Sequence, residues 1–259
     1  MIKKLGLQLY TIRDYMKDPD FADLSFKKVN ELGYTEAHTA GNAFDAELFG
    51  KLLNKNGISI IGTHYDYNAI INDTEATMER HRMWGTKNIG IGGMPNDARQ
   101  SKEGLDEFIE KFNKASEIYA KNGFKLTYHN HNFEFVRIDG YKTIMDVLVE
   151  KFNPETVSFV LDTCWVSAGG GDVTSWMEKL AGRIDILHLK DIMIVNNNGS
   201  LAPRMTEVGH GNLDWDKIIK VAEQVGVENY VVEQDAFFLN NNPFESLKAS
   251  AEFLKPYMA

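Results

Sequence analysis

Short apolar runs alternate along the chain with longer stretches in which apolar residues return every three or four positions. The short runs have strand length and a β-branched or aromatic bias, whereas the longer ones have the period of a helix with one buried face. The pattern predicts strands over residues 4–9, 34–38, 58–62, 88–91, 125–129, 157–161, 184–189 and 230–232. It predicts helices over 20–32, 45–56, 73–84, 102–122, 142–152, 174–180, 216–225 and 243–257. Asp18-Pro19 is a helix start signal, and Gly33, Gly57 and Gly123 stop helices just ahead of strands. A long loop is expected across Asn196-Asn197-Asn198-Gly199-Ser200.

Eight strand–helix units with no low-complexity linker predict an α/β chain with a parallel sheet. A length of 259 residues suits one (β/α)8 TIM barrel occupying 1–259 as a single domain. A doubly wound open sheet is the rival. It often carries a Gly-rich phosphate loop after the first strand, where this chain has Gln8-Leu9-Tyr10-Thr11-Ile12-Arg13. Gly90-Ile91-Gly92-Gly93 and Gly169-Gly170-Gly171 lack dinucleotide-binding spacing. The barrel is therefore preferred.

Four of the predicted strands end in polar clusters: Tyr128-His129-Asn130-His131, Leu161-Asp162, His188-Leu189-Lys190-Asp191 and Glu233-Gln234-Asp235. In a barrel these ends converge on the face where active sites are built. Imidazole with carboxylate is a ligand set for a divalent ion, with Mn²⁺ ahead of Zn²⁺, Co²⁺ and Mg²⁺. Hydrophobic content of 43% and charged content of 25% match an ordinary globular core. A net charge of −9 disfavours nucleic acid and acidic membranes. The one cysteine, Cys164, can make no disulfide within the chain and reads as a packing residue. No apolar run reaches the roughly 20 residues of a membrane span and no signal peptide is visible, so a cytoplasmic location is expected.

Leu7-Gln8-Leu9-Tyr10-Thr11-Ile12-Arg13, Tyr128-His129-Asn130-His131, Leu161-Asp162-Thr163-Cys164-Trp165, His188-Leu189-Lys190-Asp191 and Val208-Gly209-His210-Gly211 resemble the sugar phosphate isomerase/epimerase family. That family has the xylose isomerase-like barrel, which it shares with endonuclease IV. The resemblance implies one divalent metal held by Glu, Asp, His and Glu from the ends of strands five to eight. Asp162, His188 and Glu233 match the last three, and His129 stands where relatives carry Glu. His129 is then either the fourth ligand or a bystander, and Glu134 could swing in. His38 is a second departure, since relatives often carry Glu there.

The implied reaction is proton abstraction beside the carbonyl of a keto sugar or sugar phosphate, through an enediolate, giving an isomerase or epimerase. His131, Glu233 and Glu134 are the candidate acid/base groups, an ordinary histidine titrating near 6.5. His64, Arg204, Lys190, Trp165 and Tyr10 are the candidate substrate contacts. Lys190 is expected to pair with Asp191, and His210 to lie in a structured turn near the metal. Tyr65, Phe133 and Phe237 are further aromatics expected at the mouth. In relatives with two ligand glutamates, both move protons. Here Glu233 alone remains, which keeps a keto-sugar or inosose dehydratase, or a keto-glycoside lyase, as the nearest alternative. A sugar-binding barrel without catalysis is a further one. A nuclease is disfavoured by the acidic charge and by Trp165, where endonuclease IV has His. Relatives are often dimers or tetramers, and Phe253 and Tyr257 near the C-terminus are expected to be exposed and to favour self-association.

Overall fold

The computed structural model describes residues 1–42 and 44–259. Eight parallel strands close into a barrel: β1 Leu5–Gln8, β2 Tyr34–Thr39, β3 Ser59–His64, β4 Asn88–Ile91, β5 Lys125–His129, β6 Val157–Asp162, β7 Ile184–Leu189 and β8 Asn229–Val232. Each pairs with its sequence neighbour, and β8 closes on β1 through Leu5↔Tyr230 and Leu7↔Val232.

Alternation along the strands sorts side chains into two populations. Leu5 and Leu7 on β1, Leu126 and Tyr128 on β5, and Leu187 and Leu189 on β7 join the large core between strands and helices. The intervening positions face the barrel axis. There Val160, Ile186 and Val231, with Ile61 packed against them, form a small separate apolar plug. Two residues further along the same strands lie Asp162, His188 and Glu233. The polar residues thus stand on a dry apolar floor, which holds their backbones in place.

The helices begin and end where local chemistry dictates. Asp18 accepts from the Asp20 and Phe21 amides and Pro19 opens Pro19–Glu31. Gly33, Gly57 and Gly123 sit at φ of +97°, +73° and +78° just past helix ends, a conformation that favours glycine. Two short helices escaped the periodicity reading. Tyr67–Asn72 is capped by Asp66, and Thr163–Ala168 by Asp162. Both are too short to show a helical repeat. The last helix stops at Leu254 and passes into a 3-10 turn, Lys255–Tyr257, containing Pro256, rather than continuing to 257.

The expected loop at 196–200 is instead the tip of an antiparallel hairpin, Asp191–Asn197 with Ser200–Thr206. Asn198 and Gly199 both have positive φ, as a two-residue hairpin turn of the type I′ class requires. The Asn-Gly dipeptide was the available signal. Phe253 and Tyr257 are not exposed as expected. Both are partly buried against the core, and their rings pack on each other at 5.8 Å.

Candidate metal centre

Register brings four ligand-type side chains together. Asp162 lies opposite His188 across β6 and β7, and His188 lies opposite Val231, two residues before Glu233. Atoms of His129, Asp162, His188 and Glu233 lie within 4.8 Å of one another, and all four residues are buried. His129 Nε2 is 3.4 Å from Asp162 Oδ2, and His188 Nδ1 is 3.0 Å from Glu233 Oε2 and 3.8 Å from Asp162 Oδ2.

The groups behind these atoms fit a cation. His129 Nδ1 is 3.2 Å from the Gly92 carbonyl, so it carries the proton and leaves Nε2 with its lone pair toward Asp162. Asp162 Oδ1 accepts from the Trp165 amide, which leaves Oδ2 for the cluster, and the Asp162 amide donates to Asn130 Oδ1. Charge points the same way. Asp162, Glu233 and Asp235 surround one ammonium: Lys190 Nζ is 3.6, 3.2 and 2.7 Å from their oxygens. Three carboxylates against one lysine leave room for a divalent charge.

The ionisation states follow. Burial opposes the charge on Asp162 and Glu233, but Lys190 and the neighbouring histidines outweigh it and hold both carboxyls well below their usual range. Burial also opposes protonation of His188, yet Glu233 and Asp162 raise its pKa. Lys190 is held charged by the same carboxylates against its burial. Asp235 is raised by burial and by Glu233.

The other side of the mouth is made of imidazoles. The rings of His38 and His64 are 4.5 Å apart, and His64 is 4.6 Å from His129. Burial pushes both well below the ordinary histidine value, so they are neutral. His131 is likewise lowered, to about 3, by burial and by His129. It is therefore not the near-neutral titrating group that an ordinary histidine would be. Its ring stacks on Phe133 and lies 5.3 Å from Trp165, with Nδ1 buried and unpartnered.

Glu134 lies beneath this face, fully buried. One oxygen accepts from Tyr128 Oη at 2.5 Å and the other from the His131 amide at 2.8 Å, so it anchors the 130–134 turn. Burial raises it to about 7. Lys190 does not pair with Asp191. Asp191 instead gathers the Gly209, Gly211 and Leu213 amides and Trp215 Nε1, which builds the turn carrying His210, and His210 itself is exposed and outside the cluster.

A cleft of about 570 Å³ lies between Trp165, Asp235, Phe237 and the hairpin residues Met193, Arg204 and Met205, and it meets the charged group at Asp235. Arg204 is exposed, with Nη2 3.4 Å from Met193 Sδ. Tyr10 is part-exposed beneath the Arg13 guanidinium, which also donates to the Asp235 carbonyl at 3.0 Å. The sequence reading missed Asp235 as a site residue. It lines the cleft, and its Oδ1 is buried without a partner among the described residues. The available signal was alternation, since Asp235 follows Glu233 by two. A cleft of about 680 Å³ at the opposite end, lined by Asn88, Lys125, Asp185 and Asn229, lies across the apolar plug from this chemistry.

The sequence pattern of the xylose isomerase-like TIM barrel family matches residues 26–257, and the chain belongs to that family. Inosose dehydratase of Geobacillus thermodenitrificans is 25% identical over 167 residues, covering 60% of this chain and 55% of that protein. The chain thus spans about half the length of the curated relatives it matches. A sugar phosphate isomerase/epimerase of Parabacteroides distasonis superposes with a TM-score of 0.79 at 23% identity, over 98% of each chain. The IOLI protein, solved with a bound zinc atom, superposes with a TM-score of 0.72 at 16% identity, over 97% of each chain. These structural likenesses establish the barrel. No described helix is long and apolar enough to cross a membrane.

Proposed function

We propose that this chain is a divalent-metal-dependent enzyme that removes a proton from the carbon beside the carbonyl of a keto sugar or keto-cyclitol and completes the reaction by losing water. One observation carries the choice of dehydration. His129 joins Asp162, His188 and Glu233 as the fourth group, so the set holds one glutamate, and the two-glutamate relay that the family resemblance implies for epimerases has no second member here. The relatives named inosose dehydratase support the same reading.

In this reading His129, Asp162, His188 and Glu233 hold the cation, with Mn²⁺ first among candidates. When bound, it polarises the carbonyl and an adjacent hydroxyl as a Lewis acid. His131, whose buried Nδ1 has no partner among the described residues, accepts the proton from carbon. The C–H electron pair first passes toward the carbonyl to give an enolate, and then returns to form the new double bond as the neighbouring C–O bond breaks. Asp235, whose carboxyl favours its protonated form more than usual, gives its proton to the departing hydroxyl, which leaves as water. Lys190 orients Glu233 and Asp235. Trp165, Tyr10, His64 and Arg204 position the substrate. Glu134 acts through the turn that carries His131. The isomerase or epimerase reading shares the first step and differs in returning the proton to carbon.

The test is incubation of the Mn²⁺-loaded protein with keto-inositols and ketohexoses in D₂O, followed by NMR and ultraviolet absorbance. Deuterium exchange with an unsaturated product is expected. Asp235→Asn should keep exchange and lose dehydration. An isomerised ketose without unsaturation would favour the second reading, and no exchange from any substrate would sink both.

A further inference from the structure

The geometry points to a second cation position beside the proposed one, built from imidazole alone: His38, His64 and His188. One nitrogen from each of these rings lies within 4.8 Å of the others. The lone pairs converge because Gln8 sets the tautomers. Gln8 Oε1 accepts the Tyr10 amide at 3.3 Å, which turns its NH₂ toward the rings. That NH₂ is 3.1 Å from His38 Nδ1 and 3.5 Å from His64 Nδ1, so both Nδ1 atoms turn lone pairs toward one point, which the Gln8 amide fills and a cation would take over. His188 Nε2 reaches the same point, 2.9 Å from His38 Nδ1. His38 is fully buried, and among the described residues the outer nitrogens of His38 and His64 have no partner, so Gln8 is the side chain beside His188 that a cation must displace from these rings. Both rings lean on bare backbone. A Cβ at Gly62 would come within 3.1 Å of His38 Cδ2, and one at Gly92 within 3.2 Å of His64 Nδ1.

His188 is the shared element and decides how the two positions relate. Its Nδ1 faces Glu233 and Asp162 and serves the first position, while its Nε2 faces His38 and serves the second. A neutral imidazole has one lone pair. With Nε2 on a cation, Nδ1 carries the proton and donates to Glu233, the carboxylate–histidine arrangement that steadies many metal ligands. The first position then lacks a ligand, so the chain holds one cation at a time. Three imidazoles without carboxylate suit Zn²⁺ and disfavour Mn²⁺, which keeps the mixed set. Zn²⁺ is thereby an inhibitor acting from an adjacent seat. This consequence rests on the metal-dependent function proposed above, whereas the position itself does not.

The experiment is equilibrium binding of Zn²⁺ alone and Mn²⁺ alone to the full chain, with Co²⁺ absorption as a report on ligand type. Asp162→Asn should lose Mn²⁺ and keep Zn²⁺. His38→Gln and His64→Gln should weaken Zn²⁺ at least about tenfold, since even outer-shell partners of metal ligands are worth that much, and should keep Mn²⁺. Retained Mn²⁺ also reports that these variants fold. Unchanged Zn²⁺ affinity in both histidine variants overturns the second position, as does loss of both ions from each of them or joint loss of Zn²⁺ and Mn²⁺ in Asp162→Asn. Failure of Mn²⁺ to bind the wild type, with Zn²⁺ bound through His38 and His64, sinks the proposed function and leaves this position standing.

Discussion

The two sides of the barrel mouth solve the burial of polar groups in opposite ways. On β6 to β8 the side chains are charged, and Lys190 offsets part of the negative charge of three carboxylates. On β2 and β3 they are imidazoles that burial keeps neutral, and some of their nitrogens are left without partners. A buried ion cluster holds its geometry only while every charge is matched, because desolvation costs more than any single pairing returns. A neutral imidazole cluster asks for less compensation and tolerates vacancy. The charged half is therefore the part whose disruption should cost folding. The neutral half is the part whose disruption should change ligand preference with the fold intact.

Lys190→Met tests that difference most severely. It leaves the buried Asp162 and Glu233 and the partly exposed Asp235 around no cation, and should destabilise the chain by about 3–5 kcal/mol, the usual cost of orphaning a buried charge. Added Mn²⁺ should restore part of the loss in a thermal melt. A melt unaffected by the substitution would mean that the carboxylates are already protonated, and the contrast between the halves would dissolve.

A second experiment isolates neutral imidazole from metal chemistry. His81 is buried outside both clusters, bonded to Thr63 Oγ1 and the Thr77 carbonyl, and burial lowers it to about 4. Its folded value lies below the unfolded 6.5, so between these values the unfolded chain binds the extra proton. Its contribution is whole above pH 6.5 and is lost as pH falls toward 4, by about 3 kcal/mol in all. Urea unfolding of wild type and His81→Gln at pH 7 and pH 4.5 should show a shallower pH dependence in the variant. Equal slopes would remove burial of this ring as a cause of acid sensitivity.

The smallest effect is expected at the rim. Arg204→Ala should change stability by less than about 0.5 kcal/mol, because the side chain is exposed and touches little. If Arg204 meets substrate, KM should rise with kcat unchanged. A fall in kcat would instead give the hairpin a part in chemistry.

Strand period, helix stops and the order of polar clusters are local properties, and they made the barrel legible from residues alone. The period marks residues 125–129, the extent of β5, and the order of polar clusters points to Asp162, His188 and Glu233, which lie together in the structure. What alternation cannot carry is the identity of a partner. Lys190 had Asp191 as its neighbour in sequence, yet successive residues on a strand point to opposite faces. Lys190 therefore meets Glu233 and Asp235 at the end of the adjacent strand, and Asp191 meets a turn some 20 residues on. The same limit hides the anchoring of Glu134 by Tyr128 and the meeting of His38 with His64 and His188. Ionisation was out of reach for the same reason, since His131 is an ordinary histidine in the sequence and a neutral one only when packed against Phe133, Trp165 and His129. The chain alone determined which chemical groups arrive at the barrel mouth. Closure of the eight strands decided which of them touch, and burial decided which of them carry charge.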